Sequence, residues 1–79
     1  MKFYVKAVTK KEGLILCTPE LFKEIVAKDI HQAVKWYIDE FMWDYFGIFW
    51  IQYYDNTTEL HPNTGVPKKV INLELEKTL

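Results

Sequence analysis

Ten of the chain's 13 aromatic residues fall in one stretch, Trp36 to Tyr54, which reads WYIDEFMWDYFGIFWIQYY. Each such ring brings roughly 150–250 Å² that favours burial. A chain of 79 residues must therefore spread this surface over more than one packed face. Gly47 divides the stretch. Before it the apolar spacing is helical, and after it both alternate faces of a strand are apolar.

The helix is predicted from Asp29 to Phe46. Asp29 followed by Gln32 is a capping-box-like start, in which the aspartate accepts an orphan amide and the glutamine reaches back. Gly47 stands where a left-handed cap residue belongs. At about 100° per residue, Ile30, Val34, Tyr37, Ile38, Phe41 and Tyr45 form one core stripe. Trp36 and Trp43, seven residues apart, project together roughly opposite that stripe, among Gln32, Asp39 and Glu40, with Phe46 along the edge.

Ile48 to Asp55 presents Ile48, Trp50 and Tyr54 on one side and Phe49, Ile51 and Tyr53 on the other, with Gln52 the polar exception. Such a strand belongs in the middle of a sheet. Lys2 to Thr9 alternates as a half-buried strand, with Phe3, Val5 and Ala7 on one side. Val70 to Glu76 alternates as well, Ile71, Leu73 and Leu75 against Asn72, Glu74 and Glu76, and reads as a strand with one wet face.

Lys10 to Gly13 suits a turn, and Leu14 to Cys17 a short strand pairing back as a hairpin. Thr18, Pro19 and Glu20 resemble a helix start, with Thr18 as N-cap and Pro19 in the first turn. The doublets Leu21-Phe22 and Ile25-Val26 fit a short helix, Pro19 to Lys28, better than a strand. The rival is an extended segment, Phe22 to Ala27, pairing as a further strand. Asn56 to Lys69, with Pro62, Gly65 and Pro67, is long enough for a functional or mobile loop. The expected fold is α+β, a single small domain over residues 1–79 with an antiparallel sheet of about four strands and the long helix on one face.

Charge narrows the function classes. Residues 1–35 carry seven lysines and four acids, residues 36–67 five acids and no lysine, and residues 68–79 three lysines and two acids. The aromatic stretch is also the acidic one. There is no arginine, the side chain best suited to bidentate phosphate and guanine contacts, and no serine. The single cysteine, Cys17, forms no internal disulfide and reads as a small buried hydrophobe. Without a signal-like segment or a transmembrane run, the chain is expected to be intracellular and cytoplasmic, and Asn56-Thr57-Thr58 a polar loop rather than a glycosylation site.

No catalytic, cofactor or metal pattern is found. His31, His61 and Cys17 show no ligand spacing, and His61 before Pro62 reads as a turn residue. Asp39, Glu40 and Asp44 are spaced as a solvated helix face is, and Gly13, Gly47 and Gly65 are each isolated. The chain is expected to be a non-enzymatic interaction module of accessory, regulatory or inhibitor type, working without a cofactor. Its small, arginine-free, lysine- and aromatic-rich composition resembles that of accessory and inhibitor proteins of viruses and mobile elements. The binding residues would be Trp36, Asp39, Glu40, Trp43, Asp44 and Phe46, meeting a second copy of the chain or a foreign protein with a basic surface. Coverage of the two tryptophans by the chain's own first helix or long loop is the structural alternative. The alternative function is a single-stranded nucleic-acid module using Lys2, Tyr4, Lys6, Lys10 and Lys11, with Tyr4 stacking bases and the lysines neutralising phosphates.

Overall fold

The computed structural model describes residues 1–9 and 22–78. The expected turn at Lys10 to Gly13, the strand at Leu14 to Cys17 and the cap at Thr18 lie outside the described residues. Five elements follow in chain order: β1 (Lys2–Thr9), β2 (Lys23–Val26), α1 (Ile30–Phe41), β3 (Gly47–Asp55) and β4 (Ile71–Lys77). The strands form one antiparallel sheet in the order β2-β1-β3-β4, so β1 and the doubly apolar β3 are central. The α+β class and a four-stranded antiparallel sheet are as the residue pattern predicts, but β2 is not the second strand expected at Leu14 to Cys17.

Two expectations are corrected. Residues 23–26 are strand and not helix, in register Phe3 opposite Ile25 and Val5 opposite Lys23. The doublet spacing suits either state, and pairing with β1 decides it, because it buries Ile25 and Ala27 against the core while Val26 faces outward. The helix is also shorter than expected, ending at Phe41 with Met42 as its cap residue.

The helix ends early because the groups that would extend it are bonded elsewhere. Met42 N–H still donates to Ile38 C=O at 2.9 Å. In a longer helix Met42 C=O would accept from Phe46 N–H. Here it accepts from Tyr45 N–H at 3.1 Å and from Lys77 Nζ of β4 at 2.6 Å. A cation at this end also offsets the helix dipole. Gly47 is the first residue of β3 rather than a helix cap, and its φ of 137° lies where side-chain-bearing residues are strained. A Cβ there would meet Tyr45 Oη at 3.2 Å.

The start of the helix follows the sequence more closely. Asp29 Oδ1 accepts from Gln32 N–H at 2.9 Å, and Gln32 Oε1 accepts from Lys28 N–H at 2.7 Å, one residue before the position a standard capping box uses.

α1 lies over β1. Phe3, Val5, Ala7, Ile25, Ala33, Val34, Tyr37, Met42, Phe49 and Ile51 form the buried cluster between helix and sheet, with Ile30, Ile38, Phe41 and Tyr45 packed at its margin. Tyr37 is fully buried, and its Oη accepts the Ala7 amide at 3.3 Å. The pairing pattern explains this contact. Asn56 N–H donates to Lys2 C=O, and Ala27 N–H donates to Met1 C=O. Even-numbered backbone groups of β1 therefore face β3 and odd-numbered ones face β2. Ala7 lies past the last β1–β2 partners, Val5 and Lys23, so its amide is left to the phenol.

A sheet of four strands is roughly 19 Å across at about 4.8 Å per strand, whereas one helix covers about 10–12 Å. With α1 seated over β1, the helix-facing side of β4 is left partly open. Leu73 and Leu75 are half-buried and Ile71 is 41% exposed.

Two substitutions test this account by urea denaturation. Tyr37→Phe leaves the buried Ala7 amide without its acceptor and is expected to cost about 1–3 kcal/mol. Gly47→Ala is expected to cost about 1–3 kcal/mol through backbone strain. A Tyr37→Phe protein as stable as the parent would show that the Ala7 amide has another partner.

Candidate functional site

The expected site residues are split between two elements. Trp36, Asp39 and Glu40 lie on α1, Trp43 and Asp44 in the turn after it, and Phe46 immediately before β3. All six side chains are exposed, with Trp43 at 70%, Phe46 at 43% and Trp36 at 42%. The helical register that would stack Trp36 over Trp43 does not form, because the helix stops between them. Trp36 instead flanks the β2 side of α1, lining a depression with Ile25, Val26 and Gln32, and meets Phe41 edge-on at 6.0 Å. Asp39 lies toward the other flank, beside Ile38 and Lys35.

The turn carrying Trp43 is held on both sides. Met42 is fully buried and bonded through both its backbone groups, and Tyr45 packs edge-on against Phe49 at 5.8 Å. The Lys77 ammonium that binds Met42 C=O also lies 5.1 Å from the centre of the Phe46 ring. One β4 side chain thus orders the segment from which Trp43, Asp44 and Phe46 project. Lys77 escaped the sequence reading because nothing in the local pattern of β4 points to a helix end 35 residues earlier. Among the described residues Trp43 makes no ring contact, and ion pairs lie elsewhere, at Lys2–Glu24 (3.3 Å) and Lys68–Glu59 (3.2 Å).

The sheet face turned away from α1 holds the alternative site. Tyr4 and Tyr54, opposite each other in register, stack at 4.6 Å with 13° between their planes. Phe22 meets Tyr54 edge-on at 5.0 Å, and Lys6 Nζ lies 4.6 Å from the Phe22 ring centre. Burial pushes the Tyr54 phenol pKa up, and neighbouring Tyr4 adds to the shift. Lys2 is engaged by Glu24, while Lys10 and Lys11 lie outside the described residues. Glu74 and Glu76 stand opposite Trp50 and Ile48 on this face. Among the described residues of this face, Glu24, Glu74 and Glu76 stand with Lys2 and Lys6, so acids accompany the lysines that would follow phosphates.

The loop after β3 is more ordered than its composition suggests. Lys68 N–H donates to Glu59 C=O, His61 N–H to Val66 C=O and Gly65 N–H to His61 C=O, closing a small hairpin in which His61 frames the turn. At the loop's start Asp55 Oδ1 accepts from Thr57 Oγ1 at 2.5 Å and from Thr57 N–H at 2.9 Å. These bonds, the Thr57 hydroxyl first, hold the Asp55 carboxyl below its ordinary pKa. Asn56 and Thr57 belong to this turn.

Among the described residues, no three His, Cys, Asp or Glu side chains converge as a metal site requires, and no helix is long and apolar enough to cross a membrane. Comparison with known protein families, curated proteins and solved structures returns no match.

The Asp55 turn gives a pH-dependent test. The folded state favours the carboxylate, so its contribution is present above the ordinary carboxylate range, near pH 4, and is lost as pH falls through the lowered pKa. Thr57→Val is expected to lower the thermal midpoint at neutral pH and to flatten its decline in acid. Parallel curves for parent and variant at all pH values would refute the coupling.

Proposed function

We propose that this chain is a non-enzymatic protein-interaction module of accessory, regulatory or inhibitor type. Its contact surface centres on Trp43 and Phe46, exposed on the turn after α1 with Asp44 between them, while Trp36, Asp39 and Glu40 stand apart on α1 itself. The observation that carries the reading is the 70% exposure of Trp43 on a turn whose neighbour Met42 is fully buried and bonded to α1 and β4. A large ring on an ordered backbone loses little freedom on binding, and tryptophan is enriched among the residues that dominate interface energies.

The charge around the rings selects the partner. Asp44 in the turn and Glu40 near the end of α1 are exposed carboxylates, with the Lys77 ammonium against the Phe46 ring, and they would favour a basic protein, whose encounter complementary charge accelerates and orients. The core does not depend on Trp43. The chain and its Trp43→Glu variant are therefore expected to give the same circular dichroism spectrum. In a pull-down, the parent should retain a basic protein that elevated salt releases. Trp43→Glu should lose it, with affinity reduced by about 30-fold or more for a loss of at least ~2 kcal/mol. Unfolding of the variant, or identical proteins on both baits, would sink the proposal.

A further inference from the structure

We infer that the outer edge of β4 is a self-pairing edge, through which two copies of this chain join their sheets about a two-fold axis at Leu73. The two edges of the sheet differ. β2 has four residues and lies between Lys23 and Lys28, the short and lysine-bearing kind of edge that resists strand addition. β4 pairs with β3 over seven consecutive residues, Gly47 opposite Lys77 through Tyr53 opposite Ile71, without a bulge or a proline. Among the described residues no strand covers its other side.

The backbone parity that places the Ala7 amide beyond β2 also sets this edge. Odd-numbered groups of β3 face β4, so odd-numbered groups of β4 are used inward and those of Asn72, Glu74 and Glu76 point outward. A second β4 in antiparallel orientation can take them only in registers that match even with even residues.

Charge and side-chain type choose among those registers. Centred on Leu73, the pairing sets Leu73 against Leu73 and Ile71 against Leu75 on the helix side. On the other face it sets Asn72 against Glu74. The backbone groups of Asn72 and Glu74 then exchange four hydrogen bonds across the axis. Centred on Glu74, the same strands would place two glutamates directly opposite and Ile71 against Lys77. Centred on Leu75, they would set Glu74 against Glu76 and Leu73 against Lys77. Like charges directly opposite are unfavourable and apolar pairs are favourable. In the Leu73 register the like-charged pair is Lys69 with Lys77 at the end of the ladder, where the Lys77 ammonium is turned toward Met42.

The uncovered groove beside β4 supports the same occupant. It measures about 350 Å³ and is walled by Ile30, Val34 and Ile38 of α1 and by Leu73 and Leu75 of β4. Self-pairing covers the outer flank of those leucines and joins the two grooves into a single trough. Its floor is Ile71, Leu73 and Leu75 of both copies. This surface is separate from the Trp43 turn, so either can fail without the other.

Light scattering on the full chain over a concentration series is the first test, expected to give twice the 9.5 kDa chain mass at high concentration and to fall on dilution. Asn72→Pro removes an outward amide that β3 does not use, and is expected to give a monomer with an unchanged circular dichroism spectrum. In a Cys17→Ala background, Leu73→Cys should cross-link to itself on mild oxidation, whereas Glu74→Cys should not. A parent that is monomeric throughout overturns the inference, as does a dimer that survives Asn72→Pro. Should Asn72→Pro fail to fold, the cysteine pair decides: cross-linking at 73 and not at 74 supports the register, and any other result overturns it.

Discussion

The seat of one phenol governs the arrangement of this molecule. Tyr37 is fully buried beneath α1, and its oxygen takes the Ala7 amide that the short β2 does not reach. That bond ties the middle of the helix to β1 rather than to the centre of the sheet. Among the described residues it is the bond that the Ala7 amide makes. With the helix over β1, a groove is left between it and Leu73 and Leu75 of β4, a consequence of the helix position.

The second consequence lies at the helix's end. With α1 over β1, the chain must turn sharply to begin β3 on the adjacent track, and five residues make that turn. Three of them, Trp43, Tyr45 and Phe46, are aromatic, and only Tyr45 finds the core. The turn is kept in place by distant groups: Lys77 holds the Met42 carbonyl from β4, and Gly47 supplies a backbone angle that a larger residue would resist. The exposure of Trp43 and Phe46 thus follows from topology. A longer helix would have carried both rings elsewhere.

These long-range causes separate what could be read in the sequence from what could not. The alternation of β1, β3 and β4, the central position of β3 and the Asp29 cap are local signals, and the structure follows them to within a residue or so. The helix's last turn was illegible, since residues 42–46 continue the apolar spacing and the groups that interrupt it belong to β4. Ile25 and Val26 were ambiguous for the same reason, their state being settled by the free edge of β1. The six expected site residues are all on the surface, but the alignment of Trp36 with Trp43 was an artefact of projecting a helix that does not extend that far. The groove beside β4 was hidden because Ile71, Leu73 and Leu75 look like core positions until the reach of a single helix is compared with the width of the sheet.

That comparison explains why so small a chain keeps so much apolar surface. One helix about 10–12 Å wide cannot cover four strands, and the far side of the sheet keeps Trp50 and Tyr54 only half-buried and Ile48 exposed. Charge then sorts the uncovered places by the partners each can accept. The helix side of β4 has no charge before Lys77, so a second copy can approach it without self-repulsion. The turn after α1 carries Asp44 beside its exposed rings and the Lys77 ammonium against Phe46. The self-pairing we infer would use the first surface, and the partner contact we propose would use the second. The two proposed contacts are compatible, because the Lys77 ammonium points toward the turn rather than toward the edge.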